Sequence, residues 1–406
     1  MKVLVSAYAC EPDKGSEPGV GWNWVCAIAA NHEVWVCTKG NNRESIEREL
    51  RTHPNNNLHF VYVDVPRALS FWKKGQRGIY LYYYLWQVCA LSHAIRLHRT
   101  IHFDLGHHIT FVNAWIWTFL ALMPIPFVWG PIGTNRIPPS CLLPNLRERI
   151  RYQLRYFIQS LIRSIDPLYW MSAIRAELIL VINEDTGNLF PLRQVAKDKI
   201  RIEPAIGSEV INDSIVKDQR EGMFNILYAG RFISIKGAHL AVEAFAEFSK
   251  RRDNVHLTII GKGPLEELMR QLVMKNHVED RVAFIEWMPR DAMLRLMKTA
   301  DVFLFPSMEG SGMVILEAMA AGIPVVCLNW GGPGTMIDDA CGIRVDVGGH
   351  DDTIRSLAKA LEYLYDNPDV IRKMSISAIA RVSEKYTWSK KIHLINKYYK
   401  DVCSCP

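Results

Sequence analysis

Nowhere in the chain is there a C-x-x-C pair, an Asp-x-Asp pair, or a G-x-G-x-x-G turn after the first apolar run. Each absence removes a class of chemistry. Without paired or ligand-spaced cysteines, the nine thiols make no zinc ribbon and no dithiol redox site. They read as free, buried thiols of a reducing compartment, with Cys403 and Cys405 in a frayed tail. Without Asp-x-Asp, the paired carboxylates that hold Mg²⁺ or Mn²⁺ on a diphosphate are missing, and no metal is expected. Without the dinucleotide fingerprint, an NAD-dependent dehydrogenase is disfavoured.

Charge is also scarce in places. Ile109 to Asn135 carries no charged side chain, a length able to span a bilayer. Asn113, Pro124, Pro126, Gly130, Pro131 and Gly133 interrupt it, so two buried elements are expected instead: a helix near Trp115–Met123 and a strand at Phe127–Trp129. Acidic residues are sparse from Arg51 to Arg175, where 14 Lys/Arg stand against 4 Asp/Glu. A cationic stretch this local points to an anionic partner. Within it, Ser70 to Arg99 and Arg147 to Arg163 interleave basic with aromatic or apolar residues, the composition of helices that lie in membrane interfaces. The competing reading is buried aromatic helices with solvated charged faces. Nucleic acid is not expected, because no binding-fold signature accompanies the patch.

What is present suits two domains. The chain has 406 residues, 49% of them hydrophobic and 22% charged, with a net charge of +6. Met1 to Cys10 lacks the apolar core and cleavage site of a signal peptide, and Val3–Ala7 reads as a buried strand. Short apolar runs alternate with amphipathic stretches: Val3–Ala7, Val34–Thr38, Phe60–Val63, Leu105–His107, Phe127–Trp129 and Leu178–Val181. A second series follows the linker Glu203–Gly207: Asn225–Ala229, His256–Ile260, Val282–Ile285, Val302–Phe305 and Pro324–Leu328. The fold class expected is α/β, two Rossmann-like domains facing across a cleft, with ligands at the carboxyl ends of the strands. The first spans 1–205 and the second 206–385. Residues 386–406 form a helix crossing back to the first domain.

The densest chemistry runs from Phe303 to Pro324. A strand ends at Pro306, a loop carries Glu309, and Gly310-Ser311-Gly312 opens a helix that Gly322 stops. Free N–H groups at Gly312, Met313 and Val314 suit a diphosphate. Glu309 suits sugar hydroxyls, and Glu317, eight positions on, suits both hydroxyls of a ribose. The alternative is a capped helix with one surface and one buried glutamate.

This stretch resembles the E-x7-E motif of retaining glycosyltransferases of the GT-B fold, particularly family 4. Gly230-Arg231-Phe232-Ile233-Ser234-Ile235-Lys236-Gly237 resembles that family's G-R-x-x-x-x-K-G loop, Ile259 to Pro264 its I-x-G-x-G-P turn, and Gly331-Gly332-Pro333 its last glycine loop. The four matches stand in family order and cover most of the second half. The resemblance implies that Arg231 and Lys236 stabilise the leaving diphosphate and that Gly261 lies against the donor. It also implies that Gly19, in the loop Lys14–Trp22 before a helix beginning near Trp22, faces that diphosphate. Asp104 to His108 resembles the family's D-x-x-H segment, whose histidine lies near the reacting sugar. Alternation along a strand lets one of His107 and His108 face the cleft, and His108 is preferred. Val128 to Gly133 is similar to a G-P-x-G loop of members that make bacterial surface polysaccharide.

The implied protein is a metal-independent, cytoplasmic hexosyltransferase, retaining in mechanism, with a UDP- or GDP-sugar as donor and no cofactor. Its acceptor is a glycan or polyprenyl-linked sugar, met through peripheral contact with the anionic inner face of the cell membrane. The rival readings are a nucleotide-sugar epimerase, which needs no acceptor, and a non-catalytic sugar-nucleotide-binding protein. Base recognition is expected near Glu286–Met288.

Overall fold

A computed structural model describes residues 1–75, 77–190, 195–208 and 222–404. Cys405 therefore lies outside the described residues. Two compact units emerge: Met1–Thr134 with Phe157–Ala205 and Trp388–Pro406, and Asn135–Tyr156 with Ile206–Thr387. The division falls inside the expected linker, between Ala205 and Ile206. It also groups residues 135–156 with the second unit, whereas the sequence reading assigns all of 1–205 to the first.

The first unit is built on seven parallel strands, β1 (Lys2–Ala7), β2 (Glu33–Lys39), β3 (Leu58–Val63), β4 (Leu105–Thr110), β5 (Phe127–Ile132), β6 (Leu178–Val181) and β7 (Ile200–Ile202), in the order β3-β2-β1-β4-β5-β6-β7. The second holds six parallel strands, β8 (Phe224–Ala229), β9 (Val255–Ile260), β10 (Val282–Ile285), β11 (Val302–Phe305), β12 (Val325–Leu328) and β13 (Gly342–Val345), in the order β10-β9-β8-β11-β12-β13. Strands buried on both faces read as continuous apolar runs, which is why Val302–Phe305 and Val325–Leu328 are fully buried. In both sheets the chain order reverses beside the first strand, opening a crevice at the carboxyl ends of β1 and β4 in one unit and of β8 and β11 in the other.

β7 and β13 were not read from sequence. Both are short edge strands, and neither makes an unbroken buried run. The helix expected at Trp115–Met123 is only a 3₁₀ turn at Phe119–Leu122. Side chains replace the helical ladder there: Asn113 Oδ1 accepts from Ile116 N at 2.9 Å, Gln87 Oε1 from Phe119 N at 3.0 Å, and Ser172 Oγ from Thr118 N at 3.1 Å. These partners leave Trp115, Ile116 and Trp117 buried at successive positions, which one helical face does not permit.

The helix expected near Trp22 begins at Ser16 instead. Pro18 is tolerated there because a first-turn residue needs no intrahelical N–H bond. The C-terminal helix, Trp388–Ser404, packs within the first unit. Its Lys391 is buried, paired with Glu203, and donates to Pro204 O at 2.7 Å. Burial lowers the lysine's pKa, and the Glu203 charge opposes that shift.

Candidate functional site

In the second unit the loops after β8 and β11 meet at the point where strand order reverses. Gly237 follows a 3₁₀ turn and lies against Pro306. Ile235 O accepts from Met308 N at 2.8 Å and from Ser307 Oγ at 3.2 Å, so the two loops are laced together. That lacing brings Lys236 to Glu309, with Nζ 2.5 Å from Oε2. Both side chains are largely buried, at 17% and 16% exposed. A pair this enclosed keeps much of its Coulomb attraction, since little water screens it. The second oxygen of Glu309, Oε1, is buried with no partner among the described residues. A buried ionised oxygen left unpaired is costly, and a ligand hydroxyl would satisfy it. Burial, and then the Glu309 charge, holds the nearby Tyr228 phenol well above its ordinary pKa.

Backbone frames this pair. Glu309 O accepts from Gly332 N at 2.9 Å, tying in the glycine loop after β12. Gly312 precedes the helix Met313–Ala320, with no side chain capping its start. Ile315 N bonds Gly312 O, and Met313 and Val314 open the first turn half-buried. The turn after β9 holds Gly261 at φ +143, where a Cβ would lie 2.0 Å from Gly230 O. Only glycine permits both that backbone and that approach. Arg231 is exposed on the loop after β8.

Glu317 lies just over one turn past the helix start and is already engaged: its Oε1 accepts from Arg290 Nε at 3.0 Å. After β10, Glu286 pairs with Lys262 at 2.7 Å, each raising or lowering the other's pKa toward the charged form, and Trp287 beside it is 73% exposed.

Asn135 was missed. Its Oδ1 accepts from Gly310 N at 2.7 Å, pinning the loop that carries Glu309. Its neighbours are similarly held within this unit: Arg136 lies 4.3 Å from the Trp330 ring centroid, and Leu142 O bonds His239 Nε2 at 2.9 Å. The sole signal in the sequence was the position of Asn135, two residues past the Gly130–Gly133 loop.

In the first unit both histidines of β4, His107 and His108, are buried. His107 is fully engaged, with Nε2 2.7 Å from Gly130 O and Nδ1 2.6 Å from Tyr399 Oη. A carbonyl only accepts, so Nε2 carries the proton, Nδ1 is the acceptor, and the tyrosine donates. Burial, opposed by the Gly130 bond, lowers its pKa to about 3. His108 makes one bond, Nε2 to Phe111 O at 3.3 Å, and its Nδ1 is buried without a partner among the described residues. Burial lowers its pKa to about 4.

Gly19 lies inside the helix Ser16–Ala29, not in a loop before it, and a Cβ there would meet Lys14 O at 1.9 Å. Its neighbour Glu17 accepts from Val112 N, two residues past the end of β4. Burial raises the Glu17 carboxyl to about 7, with that N–H bond opposing.

Two parallel-sheet α/β units with this strand order define the fold of GT-B glycosyltransferases. Over 100% of both chains it is similar to the sucrose-phosphate synthase of Thermosynechococcus elongatus, with a TM-score of 0.68 at 17% identity. Over 99% of this chain and 100% of the other it is similar to Anabaena HepE solved in complex with UDP, with a TM-score of 0.67 at 15% identity. Residues 212–381 match the family model of glycosyl transferases group 1, so the second unit carries a domain of that family. The D-inositol 3-phosphate glycosyltransferase of Pseudarthrobacter chlorophenolicus is 34% identical over 175 residues, 42% of this chain and 40% of that protein. The chain spans less than half the length of the curated relatives it matches.

Proposed function

We propose that the protein is a glycosyltransferase that moves a hexose from a UDP- or GDP-sugar to a glycan or lipid-linked acceptor, with retention and without a metal. The observation that carries this reading is the enclosed Lys236–Glu309 pair, whose free carboxylate oxygen sits where the second sheet reverses, inside the matched domain. Relatives point the same way, since HepE was solved with UDP and the inositol phosphate enzyme is named a glycosyltransferase.

In this reading Arg231 and Lys236 neutralise charge gathering on the diphosphate as the anomeric C–O bond breaks toward it. Main-chain N–H groups at Gly312, Met313 and Val314 add to that, and Gly261 and Gly19 let backbone come close. Glu309 Oε1 accepts from hydroxyls of the transferred sugar. Glu317 exchanges Arg290 for the donor ribose, and His108 contacts the sugar from the first unit. The acceptor oxygen bonds the anomeric carbon on the face the diphosphate leaves, and its proton passes to the departing phosphate oxygen. Peripheral contact with the anionic inner face of the cell membrane completes the reading.

Thermal stabilisation by UDP, GDP, ADP and their sugar conjugates tests the donor site. One diphosphate family raising the melting temperature, with the gain abolished in Arg231→Ala, is expected. No stabilisation by any of them sinks the donor reading. Activity lost to a chelator, or a product of inverted anomeric configuration, would overturn the metal-independent and retaining parts.

A further inference from the structure

The helix Leu146–Ile165 is amphipathic in the wrong sense for a helix that only packs on protein. Leu146, Ile150, Leu154, Phe157, Leu161 and Ile165 recur at three- and four-residue spacing and fall within an arc of about 100°. That apolar stripe is the exposed one, with Leu146, Phe157 and Ile165 each more than 60% accessible. The opposite side is polar and packed: Gln159 and Arg163 are buried, and Glu148 accepts from Ser234 Oγ at 2.7 Å. Over about 28 Å of helix, apolar side chains are held in water and polar ones are turned inward.

We infer that the outward face of this helix is the seat of an anionic lipid surface, an inference that rests on the membrane part of the function proposed above. Charge chooses the occupant. The helix carries five arginines against one glutamate; Arg163 is buried on the packed side, and the glutamate is turned toward Ser234 and Arg151. Arg147 projects at the edge of the stripe and Arg151 about 40° beyond it, both exposed. Their aliphatic stems extend the apolar surface while the guanidinium groups reach phosphate. A second copy is a poorer occupant, because a parallel isologous pairing of this face would set Arg147 and Arg151 against their own counterparts and an antiparallel one would lay them on the apolar end of the stripe. Among the described residues no helix is long and apolar enough to cross a membrane, so the helix lies in the interface plane.

Sedimentation of the full chain with vesicles tests this, using phosphatidylglycerol mixed into phosphatidylcholine and phosphatidylcholine alone. The wild type should pellet with the mixed vesicles. Leu154→Glu combined with Phe157→Glu should weaken that binding about tenfold or more. Arg147→Gln combined with Arg151→Gln should weaken it by about fivefold per arginine on mixed vesicles and leave neutral vesicles unaffected. Nucleoside diphosphate stabilisation, measured on the same preparations, reports the folded donor site separately. Diphosphate binding with no pelleting of the wild type, or pelleting unchanged in the glutamate variant, overturns the inference and leaves the donor reading intact. Pelleting without diphosphate binding does the reverse. A dimer that the glutamate variant disperses, with no vesicle binding, gives the face to a second copy and overturns it too.

Discussion

The two units share a strand order and differ in what they place where it reverses. Beside β8 and β11 stand opposite charges on glycine-rich loops, Lys236 against Glu309, with one carboxylate oxygen unclaimed. Beside β1 and β4 stand neutral groups in an aromatic wall: Tyr8 packs edge-on to Tyr83, Trp86 and Phe111, and both histidines are held uncharged. One crevice is built to meet a charged ligand group. The other is lined by neutral groups, and Ser6 Oγ, Tyr8 Oη and His108 Nδ1 are buried there without a partner among the described residues. The same topology thus supports two chemistries, and the difference lies in loop side chains, not in the sheets.

The largest effect should come from breaking the charged side. Lys236→Ala and Glu309→Gln each remove one half of an enclosed pair, and either should cut the transfer rate by about 10²–10³. Steady-state rates on the donor identified by stabilisation, with circular dichroism to confirm folding, make the check. A loss under tenfold in both variants would mean that the pair is architectural.

On the neutral side the two histidines should separate stability from activity. His107→Leu leaves Gly130 O and Tyr399 Oη without their partner and should cost about 2–4 kcal/mol. His108→Leu gives up a single long bond and should cost less, while harming transfer more. Urea unfolding beside rate measurements decides between them. If His108→Leu proves the more destabilising and His107→Leu the less active, the roles assigned here are reversed.

How much of this was legible follows from which physics writes itself into local sequence. Strands show in sequence as unbroken apolar runs, so eleven of the thirteen were visible; β7 and β13 are three- and four-residue edge strands interrupted by Arg201 and Arg344, and left none. Gly261, where close approach of Gly230 O forces a glycine, was reached only through the resemblance of its turn to the family's. The order of the four loops placed the charged residues of the second unit near one another, but not the distance between them. The start of the first helix was read six residues late, because Pro18, Gly19 and Gly21 look like a loop unless first-turn tolerance is allowed for. Long-range polar bonds were not legible. Nothing near Asn135 announces Gly310, 175 positions away, and nothing in β4 announces Tyr399.

Asn135 offers the next smaller test. Asn135→Ala removes the bond that Gly310 N donates and should cost about 1 kcal/mol in stability. Its main effect should be kinetic: the loop bearing Glu309 loses a tether, so kcat should fall several-fold while diphosphate binding changes little. Equal losses in binding and rate would instead place Asn135 against the donor itself.

The smallest effect is the one with the clearest sign. The Glu17 carboxyl is raised from 4.5 to about 7, chiefly by burial. The folded state therefore favours the protonated acid, and the unfolded state does not. The stability this provides is complete below pH 4.5 and is lost as pH rises through about 7. Taken whole, that displacement is worth about 3 kcal/mol; the residue is only partly buried, and the solvent that reaches it reduces this to about 1. The histidines of β4 run the other way, since their depressed values give stability that is present above pH 6.5 and lost as pH falls toward 4 and 3. Glu17→Gln fixes the neutral form, so it should raise the melting temperature at pH 8 and leave it nearly unchanged at pH 4. Because the histidines are intact in both proteins, their contribution cancels in the difference between variant and wild type. A difference that does not grow between pH 5 and pH 8 would mean that Glu17 is solvated as an ordinary carboxylate, and the neutral character of the first crevice would then rest on the histidines alone.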